Sequence, residues 1–406
     1  MRVVDLRPLR ASVPLRLLLA SGLITSIGSM VTYVAIPFQV AEITDSYLAV
    51  GAVGIAELIA ILVFGLYGGA LADRFDRRRL VLVTEVAAGC VAVGLLANAL
   101  LPHPSVPVIL VLACVLAAVD SLQRPSLEAI TPRVVEREHL AAAGSLLSAK
   151  GTLASLIGPA IGGLLLAAGG SVAAYAADAL TFAISLAILT RLPAIRMPAA
   201  QAKALASIRE GFQYVRTRPD VIGTYLIDVI AMVFAFPIAL FPFFARDLDA
   251  PWALGLLYSA GALGGLIVTA TGAWMSRVSR PGRGIVIAAT AWGLAIALAG
   301  MWSSVWLVLI FLVIAGAADM ISGVFRTLIW NLTVPDALRG RLAGIELLSY
   351  SVGPLAGQVR STTMAQVIGV RRSIVVGGML CVVSVPATAA SIPALWRFTL
   401  ELPRQT

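Results

Sequence analysis

A chain of 406 residues with 59% hydrophobic and 13% charged residues, and a mean hydropathy of +0.95, carries more apolar surface than an ordinary water-soluble core hides; soluble chains average about 25% charge. A soluble enzyme, a disordered chain and a secreted disulfide scaffold do not fit these figures. Cys90, Cys114 and Cys381 are scattered through apolar runs without a CxxC pair, and His103 and His139 are too far apart to suggest a metal site. The net charge of +9 would suggest nucleic acid on a soluble protein. Here the basic residues occupy short segments between apolar runs, as in the cytoplasmic loops of membrane proteins, so a lipid bilayer is the expected partner and nucleic acid is not.

A membrane-spanning helix needs about 20 apolar residues to cross a hydrocarbon core of about 30 Å. Twelve runs qualify in chain order: 15–41, 49–72, 80–101, 107–130, 142–168, 172–192, 221–245, 253–276, 284–303, 305–330, 342–368 and 373–396. The first is too long for a signal-peptide core and has no cleavage pattern, so it is read as a retained span. The expected fold is therefore all-α, with twelve transmembrane helices. With the N-terminus inside, the inner segments hold clusters such as Arg74, Arg77, Arg78 and Arg79, and Arg277, Arg280 and Arg283, whereas the outer loops keep little beyond Arg246, Arg371 and Arg372. This asymmetry places both termini in the cytoplasm, in a multi-pass protein of the cell (inner) membrane.

The only long polar connection, 193–220, divides the chain into a six-helix bundle at 1–192, a cytoplasmic linker and a second six-helix bundle at 221–406. Within the linker, Ala202 to Val215 has the composition of a short amphipathic helix on the inner membrane face. The halves echo each other. Gly158-Pro159-Ala-Ile-Gly162 in span five recurs as Gly353-Pro354-Leu-Ala-Gly357 in span eleven, offset 195; Gly69-Ala-Leu-Ala-Asp73-Arg74 recurs in degraded form from Gly272, offset 203; and Asp120 in span four matches Asp319 in span ten, offset 199. Three matches at nearly one offset point to a duplicated, pseudo-symmetric six-helix unit, a plan used by transporters that bind substrate between parallel repeats.

Gly65-Leu-Tyr-Gly68-Gly69-Ala-Leu-Ala72-Asp73-Arg74-Phe-Asp-Arg77-Arg78-Arg79, between spans two and three, resembles the signature of the major facilitator superfamily. Arg124-Pro-Ser-Leu-Glu-Ala-Ile-Thr-Pro132 and Leu140-Ala-Ala-Ala-Gly144 resemble its drug and siderophore exporter branch, and Leu338-Arg339-Gly340-Arg341 and Asn98-Ala-Leu-Leu-Pro102 look like enterobactin exporters. The chain departs from the signature at Asp76, where Gly is usual. On physical grounds the small residues Gly65, Gly68 and Gly69 allow close helix approach. Asp73, beside Arg74 and Arg77, offers a carboxylate that can bind a guanidinium or a helix N-terminus and hold an inner gate shut. The resemblance implies that its partner is the start of span eleven near Arg341. Gly158, Pro159, Gly162 and Gly163 resemble the superfamily's antiporter motif, with Ala154 where that motif has Gly; ordinary small-residue packing explains the same residues equally well.

Placing a charge at mid-bilayer costs about 2.5–3.5 kcal/mol on insertion scales, so such residues are functional candidates. Span two holds Glu57. Span four holds Asp120, Arg124 and Glu128 on one helical face, span six Asp178, span seven Asp228, span ten Asp319 and Arg326, and span eleven Glu346 and Arg360. The resemblance puts spans one, four, seven and ten around a central cavity and so favours Asp120, Asp228 and Asp319. Asp120 has Arg124 one turn away, fitting a structural ion pair or a substrate contact. Asp228 and Asp319 have no basic residue within one turn of their own helices, so one of them is expected to carry a coupling proton, with Glu57 and Glu346 next in line.

The resulting expectation is a monomeric secondary transporter, not an enzyme, that exports a small amphipathic molecule by proton antiport and alternating access. The substrate is a siderophore such as an enterobactin-like catecholate, or a drug-like compound. No GxxxxGK[ST] loop is present, and no cofactor or metal is expected. An uptake symporter of the same fold and a non-transporting membrane protein are the alternatives.

Overall fold

In the computed structural model the described residues are 5–74, 76–193, 214 and 216–400, with the side chains of 66–74, 128–129 and 336–349 outside that description. Among them the regular structure is helical. The main helices are α1 (Val13–Thr44), α2 (Tyr47–Arg74), α3 (Arg77–Ala99), α4 (Val106–Val134), α5 (Leu140–Leu189), α6 (Pro219–Ala235), α7 (Phe241–Asp247), α8 (Leu254–Thr271), α9 (Pro281–Met301), α10 (Val305–Thr333), α11 (Asp336–Ile368) and α12 (Val370–Ser391). Ten stretches among the described residues are long and apolar enough to cross a membrane. One of them, Arg137–Leu189, contains the expected fifth span and most of the sixth. The expected eleventh lies in α11, which is not among the ten.

Helix ends follow local chemistry. Ser12 caps α1 by accepting from the Leu15 amide (3.2 Å), and Asp76 caps α3 by accepting from the Arg79 amide (2.9 Å). α1 stops at Asp45, whose φ of 47° takes the chain out of the helix. α5 breaks at Gly169 and Gly170. The latter has φ 61° and ψ −160°, a conformation open to glycine and costly for a side chain, and it falls at the gap between the expected fifth and sixth spans. The expected seventh span is also divided. Pro237 has no amide proton to give the Val233 carbonyl; α6 ends at Ala235, and the chain passes through the short 3-10 turn Ile238–Leu240 into α7.

The chain forms two compact units, one of Met1–Asp45 with Ile59–Ala202 and one of Ser46–Leu58 with Lys203–Thr406. The opening of α2 thus belongs to the second unit. There a Cβ on Gly54 would lie 3.3 Å from Gln358 Oε1, and Gly51 closes on Thr362 of α11. The expected amphipathic helix of the linker lies outside the described residues; at the linker's end, Tyr214 donates to the Thr333 carbonyl at 2.6 Å.

The first unit packs α1 against α5. A Cβ on Gly158 would sit 3.0 Å from the Ile27 carbonyl oxygen, and one on Gly162 would sit 3.3 Å from Val31 Cα. The second unit packs α11 against α6 with the matching residues: a Cβ on Gly353 would lie 3.4 Å from Val229 Cα, and one on Gly357 would lie 2.9 Å from Phe236 Cβ. The repeated Gly-Pro segments therefore make the same kind of seam in each unit. Pro159 follows Gly158 in the first seam and Gly163 is buried beside it, while Pro354 lies inside α11 in the second. In lipid, where neighbouring acyl chains are as apolar as leucine, such seams hold helices through close contact.

Another close seam joins α8 and α10. A Cβ on Gly264 would run into the Val313 carbonyl and the Ala317 amide, whereas one on Gly261 meets nothing within 4 Å. Gly264→Val is expected to lower unfolding stability by about 1–3 kcal/mol or more, the usual range for overpacking, with Gly261→Ala neutral. Thermal unfolding of the two purified variants in detergent checks both.

Candidate functional site

In the second unit, Asp228 of α6 and Asp319 and Arg326 of α10 come together. Arg326 forms a close ion pair with Asp228 and also reaches Asp319, its Nη2 lying 4.0 Å from the Asp319 carboxylate. Helical spacing arranges this. Asp319 and Arg326 are seven residues apart and Trp330 four further on, so all three share a face of α10, while Thr224 and Asp228 share a face of α6. The guanidinium also lies 5.5 Å from the ring centre of Tyr350 on α11, a cation–π contact. Thr224, Tyr225, Asp228, Arg326, Thr327, Trp330 and Tyr350 line a cleft, into which Arg326 and Trp330 bring buried N–H groups, Nε and Nε1, with no acceptor among the described residues.

This corrects one step of the sequence reasoning. Asp228 has no basic neighbour along its own helix, but α10 supplies one across the seam. The two acids also differ in access: the Asp228 side chain is 5% exposed and that of Asp319 44%. One guanidinium thus serves two carboxylates, one sealed and one open.

Arg360, flagged as an intramembrane charge, has a different setting. Its Nε donates to the Val233 carbonyl at 3.2 Å, its Nη2 to the Phe234 carbonyl and its Nη1 to the Ser373 carbonyl at 3.2 Å. Two of these carbonyls belong to the last turn of α6, before Pro237. Arg360 therefore satisfies backbone acceptors that the break in span seven leaves without helical donors.

The first unit holds a second set of polar groups. Asp120 on α4 lies within electrostatic reach of Arg124 and of Lys150 on α5. Lys150 in turn faces Glu85 on α3. Glu85 accepts from Ser185 Oγ at 2.5 Å and from Gln123 Nε2 at 2.8 Å. Asp178, beyond the break in α5, accepts from Thr32 at 2.5 Å and Thr181 at 3.2 Å. Glu85 and Lys150 escaped the sequence reading, although an ionisable residue inside an apolar run, the signal used for the others, marks both.

Of the remaining candidates, Glu57 is half-buried on α2, with no ion-pair partner among the described residues. Gly65 lies in α2 and Arg77 opens α3. The side chains of Asp73, Arg74, Glu128, Arg341 and Glu346, and the surroundings of Gly68 and Gly69, are outside the described residues, as is the expected contact between Asp73 and Arg341.

The profile of a family described as transmembrane secretion effector matches residues 4–395. The enterobactin exporter EntS of Shigella boydii and that of Escherichia coli are each 32% identical to this chain over 326 residues, 80% of this chain and 78% of the relative. Among solved structures, a mutant of the nucleoside transporter NupG is similar with a TM-score of 0.77 at 15% identity, covering 93% of this chain and 99% of that one. A bacterial homologue of the iron transporter ferroportin is similar with a TM-score of 0.72 at 14% identity, covering 95% and 98%. At such identities the structural likeness speaks to the fold alone, and the fold is that of major facilitator transporters. The chain is thus a multi-pass membrane protein, and it belongs to the transmembrane secretion effector family of the major facilitator superfamily.

Proposed function

We propose that this transporter exports a small amphipathic molecule from the cell, driven by inward proton flow, and that Asp319 carries the coupling proton. The observation behind the coupling is the sharing of Arg326 between Asp228 and Asp319. A single guanidinium balances one carboxylate; in an apolar setting the second is left uncompensated, at high cost. A proton on the more accessible acid removes the imbalance and leaves Arg326 to Asp228 alone. Loss of that proton draws Arg326 back toward both acids, which sit on different helices, so protonation changes the forces between α6 and α10. Asp228, sealed and closely paired, serves as the fixed anchor. This narrows the choice between the two acids on the same ground that set Asp120 aside: a counter-charge already at hand.

Export rather than uptake is supported by the likeness to the enterobactin exporters. The same likeness suggests a siderophore of the catecholate kind, with drug-like compounds sharing the amphipathic character. The predominance of Arg and Lys in the segments assigned to the inner side supports an inner-membrane protein with both termini cytoplasmic, built as bundles 1–192 and 221–406 around the linker and working as a monomer. Asp73, with Arg74, Arg77 and Arg341, is assigned to the inner gate.

Inverted membrane vesicles with an acid lumen test this directly. The wild-type chain is expected to accumulate a catecholate siderophore there. Asp319→Asn should abolish the proton-driven accumulation while leaving siderophore binding measurable, and Asp73→Asn should slow accumulation at normal protein level. Undiminished pumping by Asp319→Asn would remove Asp319 from the coupling step.

Arg326→Gln is expected to destabilise the second unit by about 3–5 kcal/mol, the range for stripping one partner from a buried pair. Adding Asp228→Asn should restore part of the loss in a thermal unfolding assay.

A further inference from the structure

Glu85 is 4% exposed and accepts from two side chains. Gln123 of α4 donates its amide N–H to Oε2, and Ser185, in the part of α5 after its break, donates to Oε1. These two donors differ chemically. An amide nitrogen only gives a hydrogen bond, whereas a hydroxyl gives or takes one. If Glu85 gains a proton on Oε1, Oε2 remains an acceptor for Gln123, and the new O–H donates to Ser185 Oγ. The serine proton then needs an acceptor, and helix carbonyls one turn back fill this role elsewhere in the chain, as for Ser121 on Ala117 at 2.7 Å and Ser384 on Leu380 at 2.6 Å. Both forms of the carboxyl group are thus accommodated without stranding a buried polar atom, a condition that an unadapted buried acid does not meet.

The surrounding charges give the proton a reason to bind. Facing Glu85 are Lys150 from the first part of α5 and Asp178 from the second, and Asp120 of α4 faces Lys150 and Arg124. Among the described residues, three carboxylates therefore stand against two cations, and one proton balances the set. Among the described residues the group in the second unit likewise sets two carboxylates against Arg326. Asp178 is enclosed by Thr32, Thr181 and Tyr175. Glu85, by contrast, is linked through Lys150 to Asp120 of α4.

We propose that Glu85, with Gln123, Ser185, Lys150 and Asp120, forms a second proton-binding site, in the first unit, that loads and unloads one proton in each transport cycle. Its role in transport rests on the proton-antiport reading above; its existence as a proton site does not. Infrared difference spectra of the purified full-length chain in lipid nanodiscs, recorded between alkaline and acid buffer, report protonated carboxyl groups directly and need neither substrate nor gradient. Glu85→Gln is expected to lose the carboxylic-acid band of one residue, whereas Asp178→Asn should keep it. The band assigned to Asp319 should persist in Glu85→Gln and vanish in Asp319→Asn. A Glu85→Gln spectrum with the full wild-type band, or loss of the band in Asp178→Asn instead, overturns the assignment. Should Glu85→Gln fail to fold, Ser185→Ala keeps the question open to measurement: a displaced pH for the appearance of the band supports the site, and an unmoved one overturns it. A wild-type Glu85 band in a chain whose transport ignores the proton gradient would leave the site standing and defeat the antiport reading, while proton-driven transport with no Glu85 band would do the reverse.

Discussion

An ionisable side chain within an apolar membrane interior has to find its counter-charge or its hydrogen bonds inside the protein. The polar architecture of both units follows from that. In the second unit the demand is met across a helix seam, with Arg326 of α10 serving Asp228 of α6 and Asp319 of its own helix. In the first unit Glu85 draws on α4 and α5 together, through Gln123 and Ser185. Each arrangement works only if the helices approach closely, so the glycine seams and the charge networks depend on one another. A side chain at Gly357, pressed against Phe236, would push α11 off the helix that carries Asp228.

The same demand applies to the backbone. A proline inside a span strips a carbonyl of its donor, and lipid offers no replacement. At Pro237 the chain meets this by breaking the helix and bringing Arg360 from α11 onto the exposed carbonyls of Val233 and Phe234. A guanidinium supplies several N–H groups in a rigid fork, which suits a helix end with more than one unsatisfied acceptor. An arginine whose charge suggested ion coupling is thus accounted for by the hydrogen bonds of a helix terminus.

The division between what was legible in the sequence and what was not has a physical origin. Most expected spans fall in a helix because apolar length is a local property, the seventh, broken at Pro237, being the main departure, and the break near 169–171 was visible as the gap between two runs. The Gly-Pro repeat announced matching seams because a duplicated motif preserves its packing partners. The pairing of Asp228 with Arg326 was not legible: it depends on which face of α10 meets α6, and a search confined to one helical turn cannot see across a seam. The role of Arg360 was hidden for the same reason, since two of its three carbonyl partners, Val233 and Phe234, lie more than a hundred residues away. Glu85 and Lys150 are legible as ionisable residues inside apolar runs, but a single acid in span three gives no hint of the serine and glutamine that converge on it.

α11 gathers these features into one element. Tyr350 lies under the Arg326 guanidinium, Gly353 and Gly357 form the seam with α6, and Arg360 holds the broken end of that same helix. Pro354, four residues after Tyr350, has no amide proton for the Tyr350 carbonyl, so α11 is locally released between its contact with the charge group and its hold on α6. On the proposed coupling role of Asp319, a change of charge there would alter the field around Arg326 and Tyr350, and the glycine seam and Arg360 are the contacts, all inside the second unit, that connect this group to the broken end of span seven.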